Sequence, residues 1–163
     1  MRKLVLLAAF IIGAVFFSNV SAQNISENAI GLRIGDNNGI GTEVSYQRAI
    51  GGDNNRLELD LGWRDTRNYD AIKLVGLYQW VWNIEGGFNW YVGAGAGIGN
   101  DSDKFEDTHD GLFALIAGDI GIEYNFDFPL LLSLDFRPEI TFSDYINRKD
   151  LGPDIALGIR YQF

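Results

Sequence analysis

Apolar and polar residues alternate along most of this chain with a period of two. The sharpest case is the C-terminal segment, where Ile155, Leu157, Ile159, Tyr161 and Phe163 interleave with Asp154, Ala156, Gly158, Arg160 and Gln162. Successive side chains of a strand point to opposite faces, so this reads as one strand with an oily face and a polar face. The same rule holds upstream. Leu130, Leu132, Leu134, Phe136, Ile140 and Phe142 share one face, with Ser133, Asp135, Arg137, Glu139 and Thr141 on the other. Leu112, Ala114, Ile116, Ile120, Ile122 and Tyr124 oppose Ala117, Asp119, Gly121 and Glu123. Phe88, Trp90, Val92, Ala94, Ala96 and Ile98 oppose Asn89, Tyr91, Gly93, Gly95 and Gly97. Ile72, Leu74, Tyr78, Trp80 and Trp82 oppose Lys73, Val75, Leu77 and Gln79. Leu57, Leu59, Leu61 and Trp63 oppose Arg56, Glu58, Asp60, Gly62 and Arg64. Two weaker segments come first: Ile30, Leu32 and Ile34 against Arg33, then Thr42, Val44 and Tyr46 against Glu43, Ser45 and Gln47. The pattern predicts eight strands, and no helix-length 3.6-residue periodicity competes with it.

The connections alternate as well. Gly51–Asn55, Asn83–Gly87 and Asn125–Pro129 are short and share one side, while Asp36–Gly39, Asp65–Asn68, Asn100–Asp110 and Ser143–Gly152 lie on the other and include both long ones. Asp36-Asn37-Asn38-Gly39 and Gly51-Gly52-Asp53-Asn54 carry small polar residues suited to positive φ, so they read as hairpin turns; neither precedes a helix that could bind phosphate. An even number of strands with tight turns on one rim and longer loops on the other predicts an all-β fold, an eight-stranded antiparallel up-and-down transmembrane barrel.

Period two leaves open whether the oily face fills the barrel or meets lipid. The polar face decides it. It carries small Gly93, Gly95, Gly97, Gly121 and Gly158 beside Arg33, Glu43, Arg56, Glu58, Asp60, Lys73, Asp119, Glu123, Asp135, Arg137, Glu139 and Arg160, a mixture suited to a narrow, crowded lumen. The Leu, Ile, Phe, Trp and Tyr of eight strands would overfill an eight-stranded interior, so hydrocarbon is the better solvent for them. The aromatics agree, because Tyr46, Trp80, Trp82, Phe88, Trp90, Tyr124 and Tyr161 fall near the short-turn rim and Trp63 near the other, as an interfacial girdle would. With Arg64 counted, the inward charges are six bases and seven acids, and burial of unpaired charge is costly, so a paired network is expected. Pro138 lacks a ladder donor in a barrel without edges, and a bulge or the membrane boundary is expected there.

The N-terminus changes the compartment. Arg2 and Lys3 precede an apolar run from Leu4 to Phe17 and then Val20-Ser21-Ala22, the n-region, h-region and cleavage site of an export signal. The run is shorter than the roughly 17 residues a spanning helix needs. Residues 1–22 are therefore expected to be a cleaved signal peptide and 23–163 the barrel domain. Composition adds exclusions. A net charge of −9 removes the electrostatic footprint of a nucleic-acid binder, and the absence of Cys removes disulfide staples and thiolate metal sites.

The whole mature chain resembles the small eight-stranded outer-membrane proteins of the OmpA and OmpX type. In those families a terminal Phe preceded by alternating hydrophobics looks like the signal read by the barrel-assembly machinery, and Leu157, Ile159, Tyr161 and Phe163 match it. The resemblance implies outer-membrane lipid and lipopolysaccharide, the assembly machinery and periplasmic chaperones as partners, with no nucleic acid, and a monomer in the outer membrane. The sequence ends at Phe163, so the periplasmic peptidoglycan-binding domain of OmpA-type proteins is expected to be absent.

Candidate chemistry is sparse. Asp101, Asp103, Glu106, Asp107 and Asp110 crowd one loop with Lys104 and His109, but Glu106 stands where an EF-hand needs Gly, so no metal is expected. Outer-membrane lipid-A acylases and deacylases are similar in size and use a His with a Ser. Ser102 or Ser143 with His109 and Asp107 or Asp110 could imitate that set, but no family motif surrounds them. The expected function is a non-enzymatic outer-membrane barrel without cofactor, its lumen plugged by charge, serving envelope structure or surface contact. The contact surfaces would be the acidic loop and the loop carrying Asp144, Arg148, Lys149 and Asp150. The alternative is a narrow pore or a lateral route for small hydrophobic molecules, and a lipid-A-modifying enzyme comes third.

Overall fold

The computed structural model describes residues 25–36, 40–51, 54–65, 69–103, 110–143 and 150–163. The expected export signal, the loop tips with Glu106, Asp107, His109, Asp144, Arg148 and Lys149, and most of the Asp36–Gly39 turn lie outside them. Eight strands follow in chain order: β1 Asn28–Asp36, β2 Ile40–Ile50, β3 Asn55–Asp65, β4 Tyr69–Glu85, β5 Phe88–Asp103, β6 Asp110–Asn125, β7 Leu130–Ser143 and β8 Asp150–Gln162. Each pairs antiparallel with its sequence neighbours, and β1 closes on β8. The turn Gly51–Asn54 holds Gly51 at φ 70° and Asn54 at φ 55°, and the tight β4–β5 turn holds Gly86 at φ 53°, the left-handed region that Gly and Asn tolerate.

The alternation sorts the side chains onto two surfaces. Ile30, Leu32, Leu57, Leu59, Ile116, Ile120, Leu134, Leu157 and Ile159 stand exposed on the outside. Charged and amide side chains are buried inside, joined by a small apolar cluster of Val75, Leu77, Leu115 and Ala117 with Phe113 against it. This cluster lies against the inward glycines of β5. A Cβ on Gly97 would meet Val75 Cγ2 at 3.0 Å and Leu115 Cδ1 at 3.2 Å, so large side chains on β4 and β6 fill the space that β5 leaves.

Two inward glycines mark tight corners of the wall. At Gly31 the carbonyl oxygen of Ile159 sits 1.9 Å from where a Cβ would be, and at Gly95 the carbonyl of Gly76 does the same at 1.9 Å. Gly is the residue found where a barrel strand bends this closely against its neighbour. The corners fall on β1 and β5, half the ring apart. The walls between them, β2–β4 and β6–β8, are those bridged by most of the side-chain contacts across the lumen.

Of the two expectations for Pro138, a bulge or the membrane boundary, the register excludes the bulge. The β6–β7 register runs as Ala117↔Glu139 on one side and Ile120↔Phe136 on the other with the same offset. Phe126 N donates to Leu130 O at 3.1 Å, and counting back along the antiparallel alternation makes Gly118 and Pro138 a hydrogen-bonded pair. The proline therefore removes one donor to β6 without shifting the strand. Gly118 leaves room for its ring, since a Cβ there would meet Pro138 Cγ at 3.5 Å. Pro153 faces Pro138 across β7–β8 and lies past Ile155↔Asp36, the last pair with β1.

Candidate functional site

The lumen is where this chain concentrates its chemistry. Arg33 on β1 donates from Nε to Asp135 on β7 at 3.0 Å and from Nη1 to Glu43 on β2 at 3.1 Å and Asp154 on β8 at 2.6 Å; Nη2 also bonds Asp135. Arg137 on β7 donates to Asp60 on β3 at 2.8 Å and to both oxygens of Glu43 at 2.6 and 2.7 Å, and its Nε lies 2.9 Å from Glu139. Lys73 on β4 bridges Glu139 at 2.8 Å and Glu43 at 3.1 Å. Glu43 thus receives three bases, an arrangement that offsets much of the cost of burying its charge, although Asp60 Oδ1, Asp154 Oδ1 and Arg137 Nε in the same cluster lack a hydrogen-bond partner among the described residues.

A second cluster lies nearer the turn rim. Arg160 on β8 reaches Glu58 on β3 at 2.5 Å, Ser45 at 2.8 Å and Ser133 at 2.7 Å, and Glu58 also accepts from Gln47 at 2.7 Å. Arg56 pairs with Glu123 at 2.7 Å and donates to Gln79 at 2.5 Å. Its guanidinium lies 4.8 Å from the ring centre of buried Tyr91, a cation–π distance. Gln79 hands the chain on to Asp119 at 2.5 Å, and Asn89 donates to Glu123 at 3.1 Å.

All twelve charged residues read from the sequence as lumenal lie inside: eleven are buried, and Lys73 keeps 20% of its side chain exposed. Asp154 was missed. The alternation puts it on the polar face of the last strand, yet depth along the strand decides whether such a residue meets the network, and period two carries no depth. The side chain of Arg64 is not among those described. Among the described residues the inward set is five bases, Arg33, Arg56, Lys73, Arg137 and Arg160, against eight acids, Glu43, Glu58, Asp60, Asp119, Glu123, Asp135, Glu139 and Asp154. Among these described side chains the near balance expected from the sequence becomes an acid excess. Asp119 shows where it falls: among the described residues no base reaches it, and its Oδ1 has no partner.

Outside, Trp63, Trp80, Trp82, Phe88 and Tyr161 are exposed, and Tyr46, Trp90 and Tyr124 are half-buried among neighbours. Trp82 stacks on Trp90 with ring centres 4.7 Å apart, and Phe88, Tyr124, Phe126 and Phe128 form a row with successive centres 4.5, 4.7 and 5.1 Å apart. Tyr46 donates to Asn28 at 2.7 Å. Leu157, Ile159 and Tyr161 point outward on β8, and Phe163, just past its end, is exposed as well. Ser102, Asp110 and Ser143 belong to strand ends whose side chains are not described, and Asp107 and His109 lie outside the described residues, so the candidate catalytic set falls outside what the structure describes.

No protein-family profile matches the sequence, and no curated protein matches it. Solved structures do. The N-terminal β-barrel domain of Pseudomonas aeruginosa OprF superposes with a TM-score of 0.72 at 15% identity, over 86% of this chain and 100% of that one. Neisserial surface protein A gives 0.64 at 11% identity, over 83% and 94%. Ail, the attachment invasion locus protein of Yersinia pestis, gives 0.54 at 16% identity, over 85% and 97%. At these identities the likeness is one of fold: this chain has the closed eight-stranded architecture of the small outer-membrane β-barrels.

Proposed function

We propose that this protein is an integral outer-membrane barrel of an exported class, monomeric and non-enzymatic, whose lumen is a charge-paired plug and whose far-rim loops provide surface contact. The observation that carries this is the inversion of the usual soluble arrangement. Large aliphatic and aromatic side chains cover the outside, while Arg33, Arg137 and Arg160 are almost wholly buried inside. Water solvates such a surface poorly and hydrocarbon solvates it well. The ion pairs span the interior from wall to wall, as in Arg137–Asp60 and Arg160–Glu58, and eight strands leave little room beside them. Lipid and lipopolysaccharide are then the bulk partners, with the assembly machinery and periplasmic chaperones needed on the way. Single-channel recording on the folded protein in planar bilayers tests the plug. The expected trace is closed, and a steady open conductance would instead favour the narrow pore. Unchanged lipid A in cells carrying the wild type or His109→Ala is the expected result for a non-enzyme.

A further inference from the structure

The outward apolar rows differ greatly in length around the ring. On β4 the row runs from Ile72 to Ile84, and on β6 from Leu112 to Tyr124. On β1 it holds only Ile30, Leu32 and Ile34, preceded in the alternation by Asn28, and the strand itself ends at Asp36. On β3 it runs from Leu57 to Trp63, in a strand bounded by Asn55 and Asp65. A strand rising ~3.3 Å per residue and tilted by ~35–45° climbs about 2.5 Å per residue along the barrel axis. The β4 and β6 rows are then about 30 Å tall, the β3 row about 15 Å and the β1 row about 10 Å, against a hydrocarbon band of about 25 Å. One side of the barrel matches the band and the opposite side falls well short of it.

The same short side carries the outward base of the turn rim. Arg48 on β2 is 58% exposed, next in the row after Val44 and Tyr46, and its protein contacts are at the limit of bonding: 3.5 Å to Asn28 and 3.9 Å to Glu27. The aromatic rows Trp82–Trp90 and Phe88–Phe128 lie on β4–β6 and the β6–β7 turn instead.

We propose that the β1–β3 face is a lipid-deforming surface: the bilayer thins against it, and Arg48 takes the phosphate of a phospholipid headgroup drawn toward the midplane in the turn-rim leaflet. The inference rests on the membrane reading above. The physical argument is that a short apolar wall is accommodated by thinning the adjoining bilayer, which costs less than holding Asn28 and the strand ends with their unpaired backbone groups in hydrocarbon. A guanidinium at the edge of that wall meets phosphate with two parallel donors, which a lysine cannot do.

Site-directed spin labelling of the folded full barrel in phosphatidylcholine vesicles tests it, with a water-soluble nickel relaxant and oxygen as the probes. Folding of each variant is verified by the boiling-dependent gel shift. The labels are Asn28→Cys and Asp36→Cys on the short wall, and Ile120→Cys in mid-wall on β6, with Asp65→Cys serving where Asp36→Cys does not fold. The expected result is nickel-dominated relaxation at both 28 and 36, although they lie only about 20 Å apart along the axis by the same rise and tilt, and oxygen-dominated relaxation at 120. Oxygen dominance at 28 or 36 overturns the thinning. Nickel dominance at 120 overturns the membrane reading itself, so the two failures are distinct. Arg48→Leu lengthens the apolar wall and is expected to lower the nickel-to-oxygen ratio at 28 several-fold, whereas an unchanged ratio removes Arg48 as the headgroup anchor.

Discussion

Inside the barrel, β4–β6 and the strands around β1 fill the same kind of space by opposite means. On the β4–β6 side, β5 offers Gly93, Gly95, Gly97 and Gly99, and Val75, Leu77, Leu115 and Phe113 pack into the trough they leave. On the other side, Arg33, Arg137 and Arg160 extend across the lumen, each meeting acids from more than one strand or an acid and two hydroxyls. The first sector depends on shape: it is stabilised by dispersion and exclusion of water, and it tolerates no added volume at the glycines. The second depends on partners, because removing one ion strands several others.

The two sectors therefore fail differently, and substitutions can expose this. Gly95→Val should have the largest effect. Its Cβ would fall 1.9 Å from a backbone carbonyl that cannot rotate away, so the expected outcome is a chain that never gains the boiling-dependent gel shift of the folded form. Arg137→Met should leave the carboxylates of Asp60, Glu43 and Glu139 short of a base. Urea unfolding in vesicles should show a loss of about 3–5 kcal/mol, and adding Asp60→Asn should restore part of it. A loss under about 1 kcal/mol, the scale of an exposed pair, would show the cluster to be solvated. Leu77→Ala should cost about 2–5 kcal/mol by leaving a cavity, and an added Glu43→Gln should act independently of it, because the leucine belongs to the apolar sector. The smallest effect is expected for Asp119→Asn. This acid has Gln79 but no base, so removing its charge should change stability by no more than about 1 kcal/mol, in either direction. A loss as large as that of Arg137→Met would mean that Asp119 does belong to the paired network.

Much of this was legible in the chain. Alternation assigns the face of Arg33, Arg137 and Ile159 without any knowledge of neighbours, since a strand has only two faces. The closed ring follows from strand number and the alternation of short and long connections. The alternation stops being informative where depth and register matter. It puts Asp154 and Asp135 on the polar face but cannot say that both reach Arg33, which depends on how three strands are offset. It flags Pro138 as a missing donor but not that the loss falls on the β6 side, where the ladder continues unshifted. It also lists Val75 and Leu77 as inward, yet gives no sign that they meet Leu115 across a glycine strand. The spacing of Gly93, Gly95, Gly97 and Gly99 was the available clue, because four inward residues without side chains require bulk from the strands beside them.

The central claim is that hydrocarbon solvates the outer rows while the interior is already filled by the chain itself. Dilution of the urea-unfolded barrel segment, residues 23–163, into buffer with and without phosphatidylcholine vesicles tests it most directly, read by β-sheet circular dichroism and by the gel shift on boiling. The account predicts folding only when vesicles are present and aggregation without them. A soluble, monomeric, fully folded barrel in plain buffer would contradict it.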